Sequence, residues 1–118
     1  LDVFLNIGLC DITAHVDFSA LAQAASQLDL QLAGFTSQGA YLLANNLGIF
    51  AEQLINQTID QTIDQNRTND SNIYRISQQV QQLTSPHEMG ELFKVMALTK
   101  NWDQELSGFQ FYDHRYRL

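Results

Sequence analysis

An α/β fold, richer in helix than in strand, is what this 118-residue sequence predicts. Apolar residues recur at intervals of three and four along much of the chain, the spacing of helices with one buried face. Leu30-Gln31-Leu32-Ala33-Gly34-Phe35 alternates apolar and polar side chains as a strand does, and Gly108-Phe109-Gln110-Phe111 reads as a second strand. The length fits one compact domain or a piece of a larger one, with little room for two separate cores.

The opening Asp2 to Gly8 reads as an irregular lead-in, and Ile12-Thr13-Ala14-His15-Val16 as a short extended segment that Asp17 ends. From Phe18, the positions Phe18, Leu21, Ala22, Ala25 and Leu28 fall at helical spacing, with Asp17 placed to accept free N–H groups of the first turn. The strand over 30–35 then runs into Thr36-Ser37, an expected N-cap. The helix that follows has Tyr41, Leu42, Leu43 and Leu47 on its apolar face, and Gly48 is expected to close it in the left-handed conformation.

A further helix is predicted from Phe50 through Leu54 and Ile55 into the tandem Gln57-Thr58-Ile59-Asp60 and Gln61-Thr62-Ile63-Asp64. Two copies of four residues are too few for a solenoid, but the period keeps Ile59 and Ile63 on one helical face. Asn66 to Asn72 is rich in turn-forming residues and is the expected mobile loop and the place for any internal boundary. Ile73, Ile76, Val80 and Leu83 predict another amphipathic helix that ends near Thr84, ahead of Pro86. Ser85-Pro86-His87-Glu88 then has the form of a capping box, restarting a helix with Leu92, Phe93, Met96 and Ala97 as its buried stripe and Lys94 and Lys100 toward its end.

Thirteen acidic against six basic residues give a net charge of −7, which repels phosphate backbones and anionic headgroups and so disfavours nucleic-acid and membrane partners. Cys10 is the only cysteine, so no intrachain disulfide exists, and no apolar run approaches the roughly 20 residues that cross a bilayer. A soluble, intracellular protein is expected. The Asn-x-Ser/Thr triplets at Asn56, Asn66 and Asn69 are read as chance matches in an Asn- and Thr-rich stretch. His15, His87 and His114 are far apart and have no metal-ligand spacing, and no nucleophilic triad is visible.

Three segments together resemble the C-terminal region of the MidA-like class I S-adenosylmethionine-dependent methyltransferases of bacteria and mitochondria. Asp11-Ile12-Thr13-Ala14-His15-Val16-Asp17-Phe18 is similar to that family's Asp-aliphatic-Thr-Ala-His-Val-Asp-Phe motif, and Asp2-Val3-Phe4 with Gly8 to its lead-in. Gly34-Phe35-Thr36-Ser37-Gln38 resembles a Gly-x-x-Thr-Gln pattern, here with Ser37 between Thr and Gln. Met89-Gly90-Glu91-Leu92-Phe93-Lys94 is similar to a Met-Gly-x-x-Phe-Lys segment. The 56–72 region carries no family motif and reads as a variable extension within a single 1–118 unit.

The resemblance implies the back end of a Rossmann-like sheet, with its last two strands and a substrate-facing helical insertion. It also implies that the glycine-rich turn and the acidic residue that hold S-adenosylmethionine lie before Leu1. In agreement, the six glycines include no G-x-G pair. The fragment alone is therefore expected to be inactive and to associate with the missing N-terminal half or with itself. His15 and Asp17, and with them Thr36 and Gln38, become candidate substrate-binding residues; Asp17 could orient a guanidinium, because the mitochondrial branch of the family methylates protein arginine in complex I assembly. Each has a plainer reading as a helix cap or first-turn residue. A non-enzymatic interaction module, docking through the helices around Leu54 to Leu83, is the alternative. The expected location is the bacterial cytoplasm or the mitochondrial matrix.

Overall fold

The computed structural model describes residues 14–65 and 70–118, except for the side chains of 61–65 and 70. Its order is α1 (Phe18–Ser26), β1 (Gln31–Ser37), α2 (Gln38–Ala44), α3 (Leu47–Gln65), α4 (Asp70–Thr84), the single turn α5 (Met89–Leu92), β2 (Lys94–Thr99) and a 3₁₀ turn at Arg115–Arg117. The expected α/β fold with two strands is present. Cys10, the lead-in and the segment up to Thr13 lie outside the described residues, and Ala14 to Asp17 have no regular structure.

Helix α1 starts where the sequence places it: Asp17 is extended (φ −85°, ψ 92°), and its carboxylate accepts the Ala20 N–H at 2.9 Å. It stops because Asp29 turns left-handed (φ 56°), letting the Leu30 N–H reach back to the Ala25 carbonyl at 3.0 Å. The chain is then aimed into β1. Phe18 packs on Phe35 with ring centroids 5.1 Å apart, fixing α1 to one face of the strand.

Strand β1 pairs antiparallel with β2, from Gln31 opposite Thr99 to Ser37 opposite Lys94, with an irregularity between Leu32 and Gly34 that leaves Ala33 as an extra residue. The four central helices lie in sequence between these two strands. β2 occupies residues expected to be helical. The spacing of Leu92, Phe93, Met96 and Ala97 suits either structure over so short a run. The helix ends at Phe93, whose backbone is extended (ψ 143°), and Lys94 to Thr99 find ladder partners along β1 instead.

The expected strand over Gly108 to Phe111 is absent. Gly108 has φ 96°, its N–H bonds the Gln110 side chain, and Phe109 is buried while Phe111 is 63% exposed, opposite fates for residues that would share a strand face. Phe109 instead drops onto Gly34, where any Cβ would overlap its ring, and meets Tyr41 edge-on at 5.5 Å. Gly48 also departs from expectation. Asn46 (φ 64°) takes the left-handed position that ends α2, and its carbonyl accepts from Ile49 and Phe50 to begin α3, with Gly48 inside that helix. Of the expected loop at Asn66 to Asn72, Asp70, Ser71 and Asn72 belong to α4 instead, and 66–69 lie outside the described residues.

At Ser85 the capping box is replaced by a turn. The Ser85 carbonyl accepts from both Glu88 and Gly90, its hydroxyl accepts weakly from His87 at 3.4 Å, and Glu88 makes no side-chain cap bond. Gly90 is pressed on the Thr84 carbonyl, an approach that leaves no room for a side chain. No helix among the described residues is long and apolar enough to cross a membrane.

Candidate functional site

The four residues singled out from the sequence do not converge on one cleft. His15 and Asp17 are exposed before and at the start of α1, and the Asp17 carboxylate is engaged as the helix cap. Thr36 is fully buried and its hydroxyl has no partner among the described residues. Successive strand side chains point to opposite faces, so Phe35 meets Phe18 while Thr36 turns away from α1. Gln38 looks in a third direction: its side-chain amide donates to the Leu83 carbonyl at 3.1 Å and ties α2 to α4.

What does converge lies at the start of α2. Ser37 caps that helix by accepting from the Ala40 N–H at 3.4 Å, and its hydroxyl is near enough to Glu91 to favour the ionised carboxylate. Glu91 is ion-paired with Lys94 at 2.6 Å. The Lys94 hydrogen bond, above all, holds the Glu91 carboxyl below its ordinary range, with the lysine charge, Ser37 and the nearby His114 adding to it; partial desolvation opposes them. A carboxylate is therefore kept ionised at the rim of a cleft of about 380 Å³ that also includes Leu43, Pro86, Tyr112, His114 and Arg117. Gly39 and Gly90 form its floor, with the Thr84 carbonyl wedged against both.

A second cleft of about 320 Å³ opens beside the bulge of β1, between Leu32, Trp102, Glu105, Phe109 and Asp113. Neither cleft is lined by His15, Asp17, Thr36 or Gln38. Sequence reasoning passed over Glu91, His114 and Arg117. Glu91 had a signal in its three-residue spacing from Lys94, whereas His114 and Arg117 reach the cleft only because the chain after β2 folds back over β1.

Chemically, the first cleft can bind and orient a polar ligand with one fixed carboxylate and nearby cationic side chains. No group of three or more metal-ligating side chains exists among the described residues. Nor do these residues fit S-adenosylmethionine, which in a Rossmann-like site needs backbone open to the ligand at a glycine turn. Gly34 is filled by Phe109, Gly39 and Gly90 by the Thr84 backbone, and Gly108 by Tyr41; Gly48 is open but sits within a helix.

Residues 1–36 match the family described as "Putative S-adenosyl-L-methionine-dependent methyltransferase". Over 99% of its length, at 33% identity and a TM-score of 0.76, the chain is similar to a Burkholderia thailandensis protein, described as a "superfamily member and likely methyl transferase", whose crystal structure holds S-adenosyl-homocysteine. It is equally similar, at 35% identity and a TM-score of 0.78 over 99% of its length, to an uncharacterized protein of the same superfamily from that organism. It spans 27% and 28% of those two chains, little more than a quarter. No curated protein matches it. The first 36 residues thus match a family model of S-adenosylmethionine-dependent methyltransferases, and nearly all of the chain shares the fold of about a quarter of the two Burkholderia thailandensis chains.

Proposed function

We propose that this chain is the substrate-facing C-terminal portion of a methyltransferase that transfers the methyl group of S-adenosylmethionine to a protein, with arginine as the acceptor. The observation that carries the reading is the match of 99% of the chain to about a quarter of a Burkholderia thailandensis protein that holds S-adenosyl-homocysteine. The cofactor then belongs to the remaining three quarters, consistent with the absence of an open glycine turn among the described residues. On this reading the chain is inactive alone and its first partner is the cofactor-binding half. The protein acts in the bacterial cytoplasm or the mitochondrial matrix.

His15 and Asp17, exposed before and at the start of α1, remain the proposed substrate contacts. Asp17 is suited to a guanidinium because a carboxylate can accept two parallel N–H bonds from it. Titration calorimetry of the 118-residue chain with S-adenosylmethionine tests the division of labour: no specific heat is expected, and saturable micromolar binding would overturn it. In the full-length enzyme, Asp17→Asn keeps a capping side chain and is expected to lower turnover far more than stability; equal losses would reduce Asp17 to a cap.

A second reading has its own observation. Ile49, Phe50 and Leu54 on α3 are 52–60% exposed, so the helical hairpin offers an apolar surface that a non-enzymatic interaction module would use. Retention of partner binding by a full-length variant that has lost cofactor binding would favour it.

A further inference from the structure

The cleft at the start of α2 is opposite in charge to the molecule around it. The chain carries −7 overall, yet Glu91 is the one carboxylate lining this cleft, and the Lys94 ammonium neutralises it at 2.6 Å. Arg117 and His114 line the same cleft, and Arg117 has no ion pair among the described residues. Both are held in place. The His114 N–H donates to the Phe35 carbonyl at 2.6 Å, and its ring stacks on Tyr112 with centroids 6.2 Å apart. The Arg117 guanidinium lies 5.7 Å from the centre of the Tyr116 ring, a contact made through its charge rather than through a paired acceptor. Leu43, Pro86 and Phe111 add an apolar wall.

We propose that this cleft binds an acidic side chain of the protein substrate, with the carboxylate on Arg117 beside His114 and a neighbouring apolar residue against Leu43 and Pro86. This rests on the reading that the acceptor is a protein, and it adds an anchor separate from the acceptor arginine itself. A guanidinium fork accepts a carboxylate through two parallel N–H bonds, so one free arginine suffices for one acidic residue. A cationic side chain would instead meet Arg117 and find Glu91 already paired. Nucleic acid and anionic lipid need several cations spread over a surface, which a single arginine does not provide. The net charge of −7 does not prevent the contact, because at physiological salt the field of distant exposed groups fades within roughly 8 Å.

The test is fluorescence anisotropy of the full-length enzyme with two labelled peptides, Leu-Glu-Leu-Gly-Gly-Arg-Gly and the same peptide with Gln for Glu. The Glu peptide is expected to bind about tenfold more tightly, the effect of a charge-assisted hydrogen-bonded pair. Arg117→Gln should bring the Glu peptide down to the level of the Gln peptide and leave the Gln peptide unchanged. Glu91→Gln leaves Arg117 in place and frees Lys94, so it should tighten the Glu peptide further; it serves as the second variant if Arg117→Gln unsettles the fold. Equal affinity for the two peptides, no binding of either, equal weakening of both by Arg117→Gln, or weakening of the Glu peptide by Glu91→Gln would each overturn the proposal. Transfer of tritiated methyl from S-adenosylmethionine to arginine in proteins of a cell extract is measured separately. Its absence counts against the protein-arginine reading, whereas the peptides alone decide on the acidic anchor.

Discussion

Glu91 illustrates how a single side chain at the first cleft answers to its neighbours. Its carboxyl is held below the ordinary range in the folded state, chiefly by the Lys94 hydrogen bond, so the ionised form binds its surroundings more strongly folded than unfolded. That contribution is fully present above the unfolded carboxyl value of about 4.3 and is lost as pH falls through the lower folded value. Since half of the Glu91 side chain is exposed, water screens the pair and the effect should be small and weaken further in salt. Urea melts of the native chain and of Glu91→Gln should therefore separate at neutral pH and converge as pH falls below the ordinary carboxyl range. Gly90 is a different case, governed by space rather than charge. Gly90→Ala would drive a methyl into the Thr84 carbonyl, which belongs to backbone and cannot rotate away, so a loss of about 1–3 kcal/mol is expected in the same assay.

Elements show where the sequence could be read and where it could not. α1 and its Asp17 cap, β1, the Ser37 cap and α4 were legible because each combines a period with a local punctuating residue. β2 was not, since Leu92 to Ala97 has a spacing compatible with helix and only the waiting ladder of β1 decides against it. The mistaken strand at Gly108 to Phe111 fails for the converse reason: its alternation is real, but the notch over Gly34 captures Phe109 first. Asn46 rather than Gly48 ends α2, because an asparagine also tolerates the left-handed conformation. A consequence is that Gly48, helical and with open space where a methyl group would project, is a free site for improvement. Gly48→Ala should stabilise the chain by about 0.4–1 kcal/mol, visible as a higher urea midpoint at unchanged slope.

Across the whole molecule, burial is sparse. Ala25, Phe35 and Phe109 are the buried apolar residues among those described, whereas Leu28, Phe50, Leu92, Phe111 and Tyr112 are each 60% exposed or more. The radius of gyration is 19.6 Å, against roughly 13–14 Å for a compact domain of this length. A chain with so much uncovered apolar surface has little hydrophobic driving force of its own, which fits the proposal that it completes itself on a larger sheet. The dye ANS should bind the isolated chain strongly, and the cofactor-binding portion of the enzyme, supplied in trans, should reduce that fluorescence; no change would count against the pairing. The candidate site was the least legible part of the sequence. His15, Asp17, Thr36 and Gln38 are close in motif but face different ways, while Glu91, His114 and Arg117 are brought to one cleft by a return of the chain that no local pattern announces.

The surplus residue at Ala33 splits β1 into two stretches that keep different phase. Because of it Leu32 and Gly34, two positions apart, lie opposite Leu98 and Ala97 and so on opposite faces; without it the same pairs would meet in an unbroken ladder. Ala33 is therefore a position of β1 that could be lost with the neighbouring cross-strand partners kept.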